Sequence, residues 1–200
     1  SGEQYKKLTA SAAALDPDVF ENTEFGMKWA ISQDLSFTVS MFDSEQTIAT
    51  RTSDGESAEI VGLQVDGVEL ELKGQVNDNL NIAVAYAQMD GETSTGGEPR
   101  EIPKNTLSLF AQYRVNDKFG WALGFTDQGK SYISNNNTSR YLPEYTRVDF
   151  GAYYDVSSDL TLQVNVENVR DELYFPHSHS SHQASVGEPQ NARLSLRYTF

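Results

Sequence analysis

The 200-residue sequence contains no cysteine, no long apolar run and few basic residues. The absence of cysteine excludes disulfide scaffolds, cysteine nucleophiles and thiolate zinc sites. Because no stretch of about twenty apolar residues occurs, no transmembrane helix is predicted. Fifteen lysines and arginines against 29 aspartates and glutamates give a net charge of −14. Proteins that bind nucleic acid usually present a basic face, so no nucleic-acid partner is expected.

Apolar and small polar residues alternate with a period of two along most of the chain. This pattern is typical of β-strands that present one apolar and one polar face. It fills residues 35–41, 80–86, 107–113, 119–125, 148–154, 160–166 and 194–200. The sequence therefore predicts an all-β protein with nine strands, at about 23–31, 35–42, 62–74, 80–90, 104–115, 119–128, 145–155, 160–168 and 191–200.

The connections between the predicted strands are short and long in turn. Tight turns rich in Asn, Asp and Ser are centred near residues 33, 77, 117 and 158. The long polar segments are 43–61, 90–103, 128–144 and 169–190. An up-and-down antiparallel sheet has this order when all its tight turns lie at one end. In a sandwich, the crossovers place short and long connections at both ends.

One predicted strand is ambiguous, because the apolar phase of residues 63–72 slips at Asp66 and Gly67. Asp-Gly between two alternating runs is typical of a two-residue hairpin. It is equally compatible with a bulge inside one strand. We favour the bulge, since a hairpin would leave two very short strands and break the alternation of loop lengths.

The apolar face of such a sheet must be covered either by a second layer or by lipid. An outer-membrane barrel turns its apolar face to lipid, keeps a polar lumen and uses strands of about ten residues. Aromatic residues near the predicted strand ends fit the interfacial girdles of such barrels; they are Trp121, Tyr145, Tyr154, Tyr174 and Tyr198. The alternative is a soluble all-β ligand-binding module, such as a lectin-like sandwich.

An odd number of strands and the lack of an initiator methionine point to a segment of a longer protein. Bacterial single-chain barrels have an even number of strands, and open sheet edges are not tolerated in lipid. We therefore expect residues 1–200 to be a nine-strand C-terminal fragment of a transmembrane barrel whose earlier strands precede Ser1.

Several motifs, in their order and spacing, resemble the late barrel of TonB-dependent outer-membrane receptors. They are Asn-Thr-Glu-Phe-Gly-Met-Lys at 22–28, Gly-Val-Glu-Leu-Glu-Leu-Lys-Gly at 67–74, Ile-Pro at 102–103, the strands at 35–42 and 145–154, the segment 162–174 and Phe200. The family usually has Asn-Leu-Phe-Asp-x-x-Tyr at 168–174 and Gly-x-Pro-Arg at 187–190, and the sequence departs from both patterns.

This resemblance implies a barrel of about 22 strands around an N-terminal plug, in the outer membrane of a Gram-negative bacterium. It also implies import of a ferric siderophore or similar chelate, energised by the TonB complex through the N-terminal region. Outer-membrane lipid, lipopolysaccharide and the barrel-assembly machinery are the other expected partners. We expect no enzymatic activity, cofactor or metal site, since the sequence has no Gly-x-Ser-x-Gly, His-Glu-x-x-His or phosphate-binding glycine loop.

Charge and aromatic content distinguish the predicted extracellular loops. Segments 43–61 and 90–103 carry net charges of −4 and −3 and would repel an anionic chelate. Segment 128–144 combines Lys130 with tyrosines and an arginine, which suits a planar, electron-rich iron chelate. The residues at the start of the last loop either contact the ligand or belong to the aromatic girdle. The candidate ligand-binding residues are Tyr132, Arg140, Tyr141, Tyr174, Phe175 and His177.

The last predicted loop also contains the only histidines of the chain, His177, His179 and His182. An alternating His-x-His pattern could ligate zinc or copper. A flexible polar loop tip explains the same residues, and we favour that interpretation and predict no metal site.

The end of the chain carries a predicted assembly signal. Leu196, Tyr198 and Phe200 alternate with polar residues, and this ending resembles the signal that the barrel-assembly machinery reads through strand pairing. In the complete receptor, we expect Phe200→Ser to lower outer-membrane assembly much more than it lowers the stability of barrel that has already folded. Pulse-chase assembly kinetics test this prediction. Wild-type kinetics in the variant would leave Phe200 a packing role alone.

Overall fold

The part of the chain that the structure describes forms one large sheet and two small hairpins. A computed structural model describes residues 18–51, 57–135, 139–180 and 182–200. The strands of the large sheet are β1 (Val19–Ala30), β2 (Leu35–Arg51), β3 (Ser57–Asn77), β4 (Leu80–Thr93), β5 (Asn105–Arg114), β6 (Phe119–Gln128), β9 (Tyr145–Asp155), β10 (Leu160–Glu167) and β13 (Asn191–Tyr198). The hairpins pair β7 (Ser131–Tyr132) with β8 (Tyr141–Leu142), and β11 (His177–Ser180) with β12 (Gln183–Ser185).

Each strand of the large sheet pairs antiparallel with the next one along the chain, in the order β1-β2-β3-β4-β5-β6-β9-β10-β13. The nine predicted strands and the up-and-down topology are therefore confirmed. Short polar side chains close the tight turns: Asn77 Oδ1 accepts the N–H of Leu80 at 3.1 Å, and Asn116 Oδ1 accepts that of Phe119 at 2.9 Å. No helix in the described ranges is long and apolar enough to cross a membrane.

The two faces of the sheet differ in polarity and in shape. Large apolar side chains on one face stay exposed, among them Phe25 (81%), Trp29 (61%) and Leu194 (73%). The opposite face carries a cavity of about 350 Å³, which is lined mainly by small and polar residues such as Thr38 and Ser108. We call these the outer face and the inner face.

No protein layer covers the outer face in the described part of the chain. The buried hydrophobic residues there are Leu142, Tyr145 and Tyr174, and none belongs to the apolar row of a strand on the outer face. A lectin-like sandwich requires a second sheet packed on that row, so the sandwich alternative is wrong. The outer face is arranged for contact with lipid.

The prediction of a loop at 43–61 is wrong. Strand β2 continues to Arg51 and β3 begins at Ser57, and residues 52–56 lie outside the described ranges. Strand β4 likewise runs to Thr93, inside the predicted loop 90–103. Backbone ladder bonds do not depend on side-chain polarity, so the strands continue beyond the apolar band. The alternation of apolar and polar residues that predicts strands is lost there.

The prediction of a bulge at Asp66 and Gly67 is also wrong, and so is the hairpin. Both residues lie within the single strand β3 and pair in regular register, with Gly67 opposite Phe42 on β2. The register shift between β2 and β3 lies instead at residue 62. Gly67 is required by close approach, since a Cβ there would lie 2.5 Å from the carbonyl oxygen of Gln88 and 2.8 Å from Cζ of Phe42.

The apolar phase slips at this point because the faces exchange polarity. On the side of Gly67 nearer the tight turns, Val68 and Leu70 lie on the outer face. On the side nearer the long connections, Leu63 and Val65 lie on the inner face. Asp66 then takes the outer position. A strand that leaves a membrane meets water on its outer side, so this exchange marks where β3 passes from the apolar band into solvent.

Neighbouring residues of β4 test the assignment of the faces. Val84 lies on the outer face between Leu72 and Leu109, whereas Ala85 lies on the inner face. In the complete barrel, we expect Val84→Arg to lower the free energy of unfolding by about 2–4 kcal/mol, since it places a charge in lipid. The matched variant Ala85→Arg should change it by about 0.5 kcal/mol or less. Urea unfolding in lipid vesicles measures both, and equal losses would contradict the assignment.

Candidate functional site

Three long connections meet at the end of the sheet opposite the tight turns. They are 94–104, 129–144 and 168–190. Arg100 and Glu101 lie where the three converge. The N–H of Arg100 donates to Asn135 Oδ1 at 2.8 Å, and the N–H of Glu101 donates to the carbonyl of Tyr132 at 2.7 Å. These bonds attach the first connection to the second.

The side chains of the same two residues reach the third connection. Glu101 Oε1 accepts hydrogen bonds from the backbone N–H and from Oγ of Ser178, the latter at 3.1 Å. Arg100 Nη2 donates to the carbonyl of Ser178 at 3.1 Å and pairs with Glu101 Oε2 at 3.0 Å. Ser178 is only 4% exposed, so water competes poorly for these bonds.

Glu101 remains charged at neutral pH. Burial raises the pKa of the Glu101 carboxyl, but hydrogen bonds from Ser178 and Arg100 outweigh burial and leave this pKa below its ordinary value. Because the folded pKa is lowered, the stabilisation is complete above the ordinary pKa and is lost only as the pH falls through the lowered value.

The β7–β8 hairpin holds a cation between two aromatic rings. Tyr132 and Tyr141 are a cross-strand pair. Lys130 Nζ lies 5.5 Å from the ring centroid of Tyr132 and 5.7 Å from that of Tyr141, within the range of cation–π attraction. The structure thus brings together Tyr132 and Tyr141, two of the predicted ligand-binding residues, with Lys130 between them.

The other predicted ligand-binding residues of these loops lie near this hairpin or on the third connection. Arg140 is exposed and directly precedes β8, and its carbonyl accepts the N–H of Ile133 at 3.4 Å. Phe175 is half-buried, and His177 is exposed at the start of β11. The rings of His179 and His182 have centroids 6.5 Å apart. Within the described ranges, no three His, Cys, Asp or Glu residues converge as a metal site.

Tyr174 is packed inside the inner face and offers little surface to a ligand. It is 6% exposed, and its ring centroid lies 4.7 Å from that of Tyr145. A Cβ on Gly187 would overlap the Tyr174 ring. Tyr145 also lies on the inner face, so the prediction that these two tyrosines belong to a lipid-facing girdle is wrong. Local sequence could not show the burial of Tyr174, because it depends on packing against Gly187 from the far end of the last loop.

Arg147 links Tyr174 to two carboxylates on neighbouring strands. Its Nη1 donates to the Tyr174 hydroxyl at 2.9 Å, its Nε donates to Asp149 Oδ1 at 2.8 Å, and its Nη2 lies 3.5 Å from Glu167 Oε2. With these partners, the guanidinium stabilises the ends of β9 and β10 that adjoin the long connections, and it does not present a free charge to the lumen.

Asn168 ties together the start and the end of the last long connection. It is fully buried and has a φ of +50°, which asparagine tolerates better than most residues. Its Nδ2 donates to the carbonyls of Glu172 and Glu188, and its Oδ1 accepts the N–H of Glu172 at 2.9 Å. One side chain therefore satisfies three backbone groups from two distant parts of the loop.

Part of the acidic charge near β4 is compensated. Lys104 Nζ lies 3.2 Å from Glu98 Oε1 and 3.5 Å from Asp90 Oδ1, while Glu101 pairs with Arg100. The net charge of −3, from which repulsion of anions was predicted, was counted over segment 90–103 and did not include Lys104. The pairing lowers the electrostatic barrier that the sequence predicts for this loop.

The predicted assembly residues are on the outer face at the edge of the sheet. Leu196 and Tyr198 project from β13 and are 65% and 53% exposed. Phe200 is fully exposed, with its ring 5.0 Å from that of Tyr198 in an edge-to-face arrangement.

Sequence analysis missed the residues that organise the loops. Arg100, Glu101 and Ser178 lie in polar segments without a periodic pattern, and their partners are up to 79 residues away in sequence. Asn168 belongs to a segment that carries the family resemblance, which is a signal that could have found it. Its role as a link across the loop depends on tertiary contacts.

Comparisons with known proteins agree with this geometry. Residues 2–169 match the family model described as TonB dependent receptor-like, beta-barrel. The chain is 27% identical over 218 residues to the probable TonB-dependent siderophore receptor PiuA of Acinetobacter baumannii, covering 100% of this chain and 29% of that protein. It is 30% identical over 144 residues to the ferripyoverdine receptor of Pseudomonas aeruginosa, covering 67% of this chain and 18% of that receptor. The crystal structure of PiuA aligns with a TM-score of 0.83 at 26% identity, over 96% of this chain and 30% of that one.

Because the family model covers most of the sequence, the chain belongs to the TonB-dependent receptor β-barrel family. Its members are transport receptors in the outer membrane of Gram-negative bacteria, so the predicted fold class and location are confirmed. The chain spans less than a third of the length of these curated relatives.

The hydrogen bonds of Asn168 lead to a stability prediction. We expect Asn168→Ala to lower the free energy of unfolding of the complete receptor by about 1–3 kcal/mol, because buried backbone groups lose their partners. Asn191→Ala is the matched control; its side chain makes an exposed hydrogen bond to the Pro189 carbonyl, and the expected change is about 0.5 kcal/mol or less. Urea unfolding compares the two variants. Equal stability of both would show that the buried bonds contribute little.

Proposed function

We propose that the chain is the C-terminal part of the barrel of an outer-membrane receptor that imports a ferric siderophore or similar iron chelate. The energy comes from the TonB complex. The main support is the family match, together with relatives named as siderophore and ferripyoverdine receptors. The open sheet supports the view that this is part of a barrel, because β1 and β13 do not pair with each other in the described residues, and a spanning barrel must be closed.

The two faces of the sheet support passage of a polar ligand through a barrel. The outer face offers an apolar band to lipid, and the inner face offers a wall of small and polar side chains. Such a wall leaves room for a plug domain in the lumen. The plug and the contact with TonB belong to the N-terminal region of the receptor.

The other partners follow from the same surfaces. Lipid and lipopolysaccharide contact the outer face, and the open edge of β13 with Leu196, Tyr198 and Phe200 pairs with the barrel-assembly machinery. We propose no enzymatic activity for this segment, because the family to which it belongs is one of transport receptors.

The extracellular contact surface is centred on the β7–β8 hairpin. Lys130 supplies positive charge, and Tyr132 and Tyr141 supply aromatic faces beside it. Ferric chelates with planar, electron-rich rings and negative charge match this combination. Arg140, Phe175 and His177 extend the surface toward the third connection, whereas Tyr174 supports it from below.

Iron-limited growth tests the class of function. A strain whose only receptor for ferric chelates is the complete protein should grow on at least one probe from a panel of a ferric tris-catecholate, a ferric trihydroxamate and a mixed-ligand chelate. Growth should disappear when the TonB gene is deleted. Failure on every chelate, or growth that persists without TonB, would overturn the proposed function.

Lys130 provides the residue-level test. For an anionic ferric chelate, we expect Lys130→Ala to raise Kd about fivefold, equivalent to about 1 kcal/mol of lost cation–π and charge attraction. Lys118→Ala is the matched control, since Lys118 lies in the tight turn at the opposite end of the sheet. Binding to purified receptor measures both Kd values. An unchanged Kd for Lys130→Ala would remove the hairpin from the binding surface.

A further inference from the structure

Arg100 and Glu101 connect the two loops that carry the proposed binding surface. Their backbone N–H groups bond to Asn135 and to the carbonyl of Tyr132, and their side chains bond to Ser178. Arg100 Nη1 also lies 3.5 Å from the carbonyl oxygen of the residue after Ser178. The dipeptide thus bonds in one direction to the β7–β8 hairpin and in the other to the β11–β12 hairpin.

The backbone conformation of Glu101 indicates that its neighbouring contacts determine its position. Glu101 has a φ of +57°, in the left-handed region that glutamate rarely occupies. Such a conformation is unfavourable for a residue with a Cβ and persists only when neighbouring contacts determine it. In this conformation the Glu101 N–H donates to the Tyr132 carbonyl, and the Glu101 carboxylate accepts hydrogen bonds from Ser178.

The two connected hairpins carry different parts of the surface. Tyr132, whose carbonyl receives the Glu101 N–H, also provides one of the two rings beside Lys130. Ser178 lies directly after His177 on β11. A change in the Arg100–Glu101 contacts would therefore alter the position of the cationic aromatic group relative to His177.

We infer that Arg100 and Glu101 are positioning residues, which hold the β7–β8 and β11–β12 hairpins in one arrangement before a ligand arrives. This inference rests on the proposed function for its effect on ligand affinity, but the coupling of the hairpins can be measured without a ligand. A binding surface that is already ordered avoids part of the entropy cost of binding. If the competent arrangement is only partly populated, the apparent Kd rises in inverse proportion to that fraction.

The experiment compares three variants of the complete receptor. Glu101→Ala removes the acceptor for Ser178, and Glu101→Gln restores an acceptor oxygen without the charge. Glu98→Ala is the matched control, because it removes a carboxylate from the same connection whose ion pair, with Lys104, stays within that connection. Heat-modifiable migration in gels verifies that each variant contains a folded barrel.

Coupling is measured first, without ligand. Spin labels at Ser139 and Val186, exposed positions on the second and third connections, report the distance between the two by pulsed electron paramagnetic resonance. We expect a narrow distribution for the wild type and Glu98→Ala, a broad one for Glu101→Ala and an intermediate one for Glu101→Gln. An unchanged distribution in folded Glu101→Ala would overturn the inference.

Affinity is measured second, with the chelate from the growth panel that the wild type takes up. We expect Kd to rise about tenfold in Glu101→Ala and about threefold in Glu101→Gln, as the competent fraction falls, and to stay within about twofold in Glu98→Ala. A broad distance distribution with unchanged Kd would overturn the positioning role. If no chelate binds the wild type, the proposed function fails, and the distance measurement still decides whether the hairpins are coupled.

Discussion

Backbone groups that cross lipid must find their hydrogen-bond partners within the protein, and the antiparallel ladder between neighbouring strands meets that requirement. The arrangement of the large sheet depends on this ladder. It fixes the register, and the register decides which side chains face lipid and which face the lumen. The exposure of Phe25, Trp29 and Leu194 is therefore a consequence of the environment for which the sheet is built, and no buried apolar core is needed.

Stability at the extracellular end has a different source. The strands there extend beyond the apolar band, and the long connections are held by polar contacts between distant segments. Asn168 satisfies backbone groups of one loop, Arg147 joins two strands to Tyr174, and Glu101 accepts bonds from Ser178. Low exposure makes such bonds more valuable than they would be in water. A loop surface built in this way is ordered without being hydrophobic.

Residues at the end of the sheet with the long connections therefore differ in their structural roles. Tyr174 and Arg147 are engaged with each other on the inner face, whereas Lys130 and Tyr141 stay accessible on a hairpin. Within about one loop length, aromatic and basic residues are therefore packed as supports at one position and exposed to solvent at another. Their sequence neighbourhoods are alike, since each lies in a polar segment next to a strand.

Local pattern alone determined the all-β class, the nine strands and the tight turns between them, because a period of two is a property of each strand by itself. It failed where the environment changes, as at Asp66 and Gly67, where the outer side passes from lipid to water and the two faces exchange polarity. The partners of Glu101 and Asn168 and the burial of Tyr174 were decided only by the tertiary structure. These contacts join residues separated by many positions in sequence, and no local period records which loops will meet.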